Sequence, residues 1–448
     1  MRRIGRIAAA ILVGAAFLIL GFWLALTFGR EPPSTNGDLV GADPALPQPN
    51  KSLIPTVNFS QAEPWPAGQK PIAPNGFKVT LYAAGLDHPR WLYVLPNGDV
   101  LVAEASTAPR EPQSIRDRVQ FWLQRGAGSI KPSPNRITLL RDSRRSGEVD
   151  GRFTFATGLN QPFGMLFLNG QFYVANTDGV WRFPYHDGDT RLAGDGQKIL
   201  DLPAGGYNNH WTRNIIASRD DSKLFVTVGS GSNVGEDGID NEFHRANILQ
   251  INPDGSGLRV FASGIRNPNG LEYAPGSDVL WTVANERDML GNDLVPDYLT
   301  SVKDGAFYGW PYSYWGKNID ERVKPQRPDL VEQAIAPDYS LGSHVAALGL
   351  VFYTADAFPA HFRGGAFIGE HGSWNRRPFT GYKVVFVPFR DGKPDGKPED
   401  FLTGFMPADR PGITYGRPVG VAIDPTGALL VADDVGNAVW RVVAEPRS

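Results

Sequence analysis

Between Gly85 and Asp433 one short module recurs along this chain. It is a turn with a polar residue just ahead of proline, an apolar-alternating strand, a P-x-G turn, and a second β-rich strand ending near an acid. Four copies are clear: GLDHPRWLYVLPNGDVLVAEA from Gly85, GLNQPFGMLFLNGQFYVAN from Gly158, GIRNPNGLEYAPGSDVLWTVANE from Gly264 and YGRPVGVAIDPTGALLVADD from Tyr415. Two degenerate copies keep the order of strand, turn and strand, HWTRNIIASRDDSKLFVTVGS from His210 and ALGLVFYTADAFPAHFRGGAFIGEHGS from Ala347. Six units of period-two character predict radial repetition of small antiparallel sheets. The expected fold is all-β, a six-bladed β-propeller.

In a propeller the innermost strand of every blade starts at the same end of a central channel, so equivalent positions meet there. The residue before the module proline is His88, Gln161, Asn267 and Arg417 in the clear copies, preceded in three of them by Asp87, Asn160 and Arg266. The apolar frame stays constant while this slot changes polar group, as expected of positions that face a shared polar site. Turns ahead of proline are polar in any case, so each residue taken alone also has a structural reading.

Composition agrees with a large β protein. The 51 Gly and 37 Pro suit many tight turns, and 11 Trp with 25 Phe supply a core. A net charge of −3 gives no footprint for nucleic acid. With no Cys, disulfides and thiolate metal sites are excluded. At the N-terminus MRRIGR precedes an uncharged apolar run from Ile7 to Phe28, long enough to cross a bilayer as a helix. The arginines ahead of it set the N-terminus in the cytoplasm and the rest on the periplasmic or extracytoplasmic side. The domain reading is therefore a single-pass membrane anchor at 1–28, a flexible Pro/Asn/Ser/Gly-rich linker at 29–73, and a catalytic propeller at 74–446. Inside the first blade, SIRDRVQFWLQRG reads as a short helix in a basic loop insertion.

Candidate chemistry gathers in the later modules. His210, in GGYNNHWTRNI, heads an inner strand, where an imidazole suits removal of a hydroxyl proton near neutral pH, or equally the capping of a turn. Arg266 and Asn267 stand at the matching place one blade on, and an arginine fork there suits a carboxylate. Glu286, Asp288, Asp293 and Asp297 offer hard oxygen ligands of the kind Ca²⁺ takes, without EF-hand spacing. Tyr308, Trp310, Tyr312, Tyr314 and Trp315 read either as a flat wall for a ligand or as core. GEHGSWNRRPFTG, with His371 and Arg376, and YGRPVG, with Arg417, complete a polar and basic ring. No G-x-G-x-x-G opens a βαβ unit, so a nicotinamide cofactor is not indicated.

In their order along the modules, HWTRNI, VGSGSN, GIRNPNGL, NERDMLGNDLVPDYLT, YGWPYSYWG and EHGSWNRRP resemble the glucose/sorbosone dehydrogenase family, in particular its sorbosone dehydrogenase-like branch, over roughly 74–443. The resemblance implies an oxidoreductase that binds pyrroloquinoline quinone (PQQ) over the channel with a Ca²⁺ ion and oxidises a sugar. It implies His210 as catalytic base, with Gln161, Arg266, Asn267 and Arg417 against the cofactor. His371 or Arg376 would take the place of a family lysine. Backbone oxygens around Arg287 and Asp288, with the Asp293 side chain, would hold the metal. It further implies electron delivery to a membrane quinone or a cytochrome. Val419 stands where a second late arginine is expected, and Arg213-Asn214 where a Gly-Arg step is. A Ca²⁺-dependent propeller lactonase and a non-catalytic binding propeller are the alternatives.

Overall fold

The computed structural model describes residues 39–50, 56–107 and 131–446, together with Ser34 and a few isolated positions. The apolar run Ile7–Phe28 and nearly all of the short helix expected in the first blade lie outside the described residues. Among the described residues no helix is long and apolar enough to cross a membrane.

All six modules become the first two strands of six four-stranded antiparallel sheets. The innermost strands are Pro89–Val94, Met165–Leu168, Ile215–Ala217, Asn267–Tyr273, Ala347–Phe352 and Pro418–Ile423. Each contacts the innermost strands of the two neighbouring blades, and the last contacts the first, so the ring is closed. Closure is completed at the rim of the sixth blade. There Phe77–Ala83, from before the first module, pairs antiparallel with the C-terminal strand Ala438–Ala444, Phe77 opposite Ala444.

Burial explains why the second strand of each module reads as a nearly unbroken apolar run. Val100–Glu104, Leu224–Val228, Ala366–Glu370 and Leu429–Asp433 are buried at every position. Blades stack face to face, so neither face of such a strand meets water. The outermost strand Gly151–Ala156 is instead exposed at three consecutive positions. The P-x-G turns hold themselves: Asn97 Oδ1 accepts from the Asp99 amide, and Asp424 Oδ1 accepts from the Thr426 and Ala428 amides. Aromatic packing concentrates between the fifth and sixth blades, where Phe367, Phe386, Phe401 and Trp440 form one cluster.

The segment expected as a flexible linker is, in its described parts, packed on the propeller. Leu39 is buried and Gly41 pairs with Ser340. Gln61–Ala62 forms a parallel pair with Ile413–Thr414, and Ile72 bridges to Thr403. Its backbone groups find distant backbone partners, a stabilisation that leaves no periodic pattern in sequence.

Candidate functional site

The loops between blades bring the module slots to one mouth. His210 Nδ1 lies 2.8 Å from the Ser230 carbonyl and 3.0 Å from its hydroxyl. Gly229 makes the approach possible: a Cβ there would come within 2.5 Å of both His210 Cβ and Asn267 Oδ1. Burial, with the Arg266 cation next in weight, pushes the His210 imidazole down to about 3, although its outer edge stays accessible. Arg266 is fixed by Asn233, whose carbonyl accepts from Nε and whose side-chain oxygen accepts from Nη2, by the Glu286 carbonyl, and by Asp288 at 3.0 Å. The other Asp288 oxygen stands 3.5 Å from His344. Burial opposes both charges. Arg266 nevertheless holds the Asp288 carboxyl below its usual range, and Asp288 holds His344 above its own.

A second cluster closes the ring. Asp434 accepts from Arg90 and lies 2.8 Å from His371 Nε2 and 3.5 Å from His88 Nε2. Burial raises its carboxyl, but the two imidazoles and Arg90 outweigh that and keep it well below the usual carboxylate range. The Arg90 guanidinium lies over the Trp211 ring, 5.5 Å from its centre, which ties this cluster to the residue after His210. Arg90 also stands close enough to Arg417 to feel its charge. Arg417 stacks on Tyr382 at 5.4 Å and donates to Ser60 Oγ at 2.7 Å. His210, Arg266, Arg90, His371 and Arg417 are thus linked one to the next by charge and contact. His88 and Gln161 hold left-handed backbone ahead of their prolines, φ 56° and 48°, strain that recurs where a side chain must be aimed.

Several expected site residues do other work. Gln161 Nε2 donates to the Ser106 carbonyl and links the first two blades. Arg287 is fully buried, paired with Glu286 at 2.9 Å and Asp320 at 3.4 Å, and donates to the Pro311 and Ser313 carbonyls. Its side chain is thus taken up by a core ion-pair cluster. Asp293 and Arg376 pair with each other at 3.2 Å, and both bond Ser34, so Arg376 is drawn away from His371. Tyr308, Tyr312, Tyr314 and Trp315 are buried and pack as core, and the buried Trp310 donates its Nε1 to the Asn233 carbonyl. Val419 is likewise fully buried core. Arg90, Asp434, Ser230 and His344 were not singled out from sequence. Arg90 and Asp434 sit one residue beyond the module proline and one beyond the terminal acid, so comparing module copies one position further would have found them.

The residues at the mouth fit a polycarboxylate better than a metal. Arg90 Nε, Arg417 Nε and Asn267 Oδ1 are buried polar atoms without a protein partner, an unusual state for buried groups. Two spare cationic donors and an amide acceptor suit a planar, carboxylate-bearing quinone such as PQQ. The expected calcium ligands do not fit a cage. Asp288 is matched to Arg266, Asp293 to Arg376, and the Asp288 carbonyl already accepts from Asn233 and Arg322. Among the described residues no group of three His, Asp or Glu side chains is placed to hold a metal ion.

Comparison with known proteins gives the following. Residues 173–373 match the family model described as Glucose / Sorbosone dehydrogenase, and residues 325–445 match one described as TrAA12-like. An uncharacterized protein of Borreliella burgdorferi is 28% identical over 303 residues, 65% of this chain and 78% of that protein. The aldose sugar dehydrogenase YliI of Escherichia coli is 29% identical over 170 residues, 38% of this chain and 41% of the relative. A pyrroloquinoline quinone-dependent pyranose dehydrogenase of Coprinopsis cinerea is 25% identical over 371 residues, 72% of this chain and 46% of the relative. The chain therefore spans less than half the length of these two named relatives. In structure, the holo pyranose dehydrogenase PQQ domain of Coprinopsis cinerea superposes with a TM-score of 0.65 at 19% identity, covering 86% of this chain and all of that one. A calcium structure of a Trichoderma reesei family AA12 enzyme gives 0.66 at 18% identity, covering 84% and 97%. These two share the six-bladed fold. Over the segment 173–373 the chain is similar to the glucose/sorbosone dehydrogenase family, the resemblance its motifs carry.

Proposed function

We propose that this protein is a quinoprotein sugar dehydrogenase that oxidises an aldose, of sorbosone or glucose type, at the mouth lined by His210. The observation that carries this reading is His210, held neutral by burial and the Arg266 cation, with Arg90 tied to its neighbour Trp211 and Arg417 next to Arg90, each of these two with a buried nitrogen that has no protein partner. With Nδ1 donating to the Ser230 carbonyl, the lone pair resides on Nε2 and is free to accept a proton. Nε2 takes the hydroxyl proton of the sugar, and Arg266 beside it stabilises the oxygen that becomes negative. Arg90 and Arg417 would hold the carboxylates of the cofactor, and the Asn267 amide oxygen would accept from it. Bound PQQ would supply the two-electron acceptor for the hydride that leaves the same carbon.

The apolar run Ile7–Phe28 supports a membrane-anchored protein whose propeller faces the periplasmic or extracytoplasmic side, with a membrane quinone or cytochrome taking the electrons onward. The relatives named as an aldose sugar dehydrogenase and as a pyrroloquinoline quinone-dependent pyranose dehydrogenase support the substrate class. The test is titration of the purified chain with PQQ, with and without added Ca²⁺, followed by dye reduction across a panel of aldoses. Quinone binding with sugar-dependent dye reduction is expected. Lactone hydrolysis without quinone, or no binding at all, would contradict the proposal.

A further inference from the structure

The stretch Asn58–Trp65, ahead of every blade in sequence, reaches Arg417 by two routes. The first is direct: Arg417 Nη2 donates to Ser60 Oγ at 2.7 Å. Both side chains are withdrawn from water, Ser60 being 2% exposed and Arg417 6%. The Tyr382 hydroxyl lies 3.2 Å from the same Ser60 oxygen and donates to the Ser373 carbonyl, while the Tyr382 ring faces the guanidinium. The second route runs through Asp433. Its Oδ2 accepts from Trp65 Nε1 at 2.8 Å and its Oδ1 from the Arg417 amide at 2.8 Å.

The stretch is pinned along its length. The Asn58 amide donates to the Trp374 carbonyl at 2.7 Å, and its side chain donates to the Arg376 carbonyl at 2.9 Å. Phe59 stacks on Trp374 with ring centres 5.4 Å apart. Gln61–Ala62 adds a short parallel pair to Ile413–Thr414. Such contacts fix the stretch, and a guanidinium held on one face by a ring and at one end by a hydroxyl cannot rotate away from an anion.

We infer that Ser60 is a positioning residue for Arg417 and that Asn58–Trp65 is a working part of the cofactor site, not a tether. This rests on the proposed quinone site. A neutral hydroxyl fixes the guanidinium while leaving its full charge for a carboxylate, whereas an acid at the same place would cancel it. None of these contacts reaches His210, so the effect falls on cofactor affinity and spares proton removal.

The test uses the full chain and pyrroloquinoline quinone itself, with binding followed by quenching of tryptophan fluorescence and melting of the quinone-free protein measured in parallel. Ser60→Ala should weaken binding about ten-fold, the loss of one hydrogen bond to a charged group. Ser60→Asp should weaken it further, and Ser60→Thr should restore it. The loss from Ser60→Ala should largely vanish in an Arg417→Gln background, because the two residues act as one unit. Wild-type affinity in both Ser60→Ala and Ser60→Asp, or additive losses with Arg417→Gln, would overturn the inference and leave the quinone site standing. A parallel fall in melting temperature that Ser60→Thr does not restore would also overturn it. No quinone binding by the wild-type chain would remove the proposed function and this inference together.

Discussion

His210 is the residue on which chemistry and environment meet. Because burial and Arg266 lower its pKa to about 3, the neutral, proton-accepting form persists well below the ordinary imidazole value of about 6.5. The acid limb of kcat/KM for sugar oxidation should therefore stay level from neutral pH to about 5; half-loss near 6.5 in a pH-rate profile would contradict this. Glu370 carries the opposite sign. Burial lifts its carboxyl to about 8, and its Oε2 has no partner. Its folded-state pKa exceeds the unfolded one, so stability is lost as pH rises from the ordinary carboxylate range through about 8. Glu370→Gln should raise the melting temperature at pH 9 and change it little at pH 4, as calorimetry at the two pH values would check. The module marked His210, Arg266 and Arg417 as candidates, because each stands at or just ahead of the head of an inner strand. It could not announce that Asp288 would be spent on Arg266, or Asp293 on Arg376, since those pairings cross tens of residues.

At the scale of elements, the inner strands and their turns were readable because each carries a local signal, an apolar run closed by a P-x-G or Asx turn. The stretch from Val302 to Asp338 has no such signal. It folds back along the outermost strand of the third blade, with Phe307 bridged to Ser263 and Ala334, and lays Tyr314 under the Arg287 guanidinium. Arg287 compensates two acids in this interior, Glu286 and Asp320, of which Asp320 has a second partner in Arg322. Arg287→Met leaves Glu286 buried without a cation. It should cost about 3–5 kcal/mol in urea unfolding, whereas an exposed pair such as Lys317–Glu332 should cost under about 1 kcal/mol. The segment before Phe77 was misread for a related reason: extended backbone that pairs with distant strands is compositionally the same as a linker.

For the whole molecule, closure is the feature that matters. Convergence of slots far apart in sequence depends on the ring being shut, and the ring is shut by Phe77–Ala83 against Ala438–Ala444. Deleting residues through Ala84 should leave the sixth blade with three strands and an open edge. The truncated chain should aggregate or unfold in a broad transition by circular dichroism, while the full chain melts cooperatively. Six repeats in sequence implied six blades, but nothing in any one repeat marked which distant strand would complete the last. The central claim, that closure gathers a base and its anion-holding arginines around one opening to oxidise a sugar, is tested most directly by stopped-flow dye reduction with an aldose. Wild type and His210→Asn would be compared at equal, spectroscopically measured quinone occupancy. The rate should fall at least about a hundred-fold in the variant with occupancy retained; equal rates at equal occupancy would contradict the account.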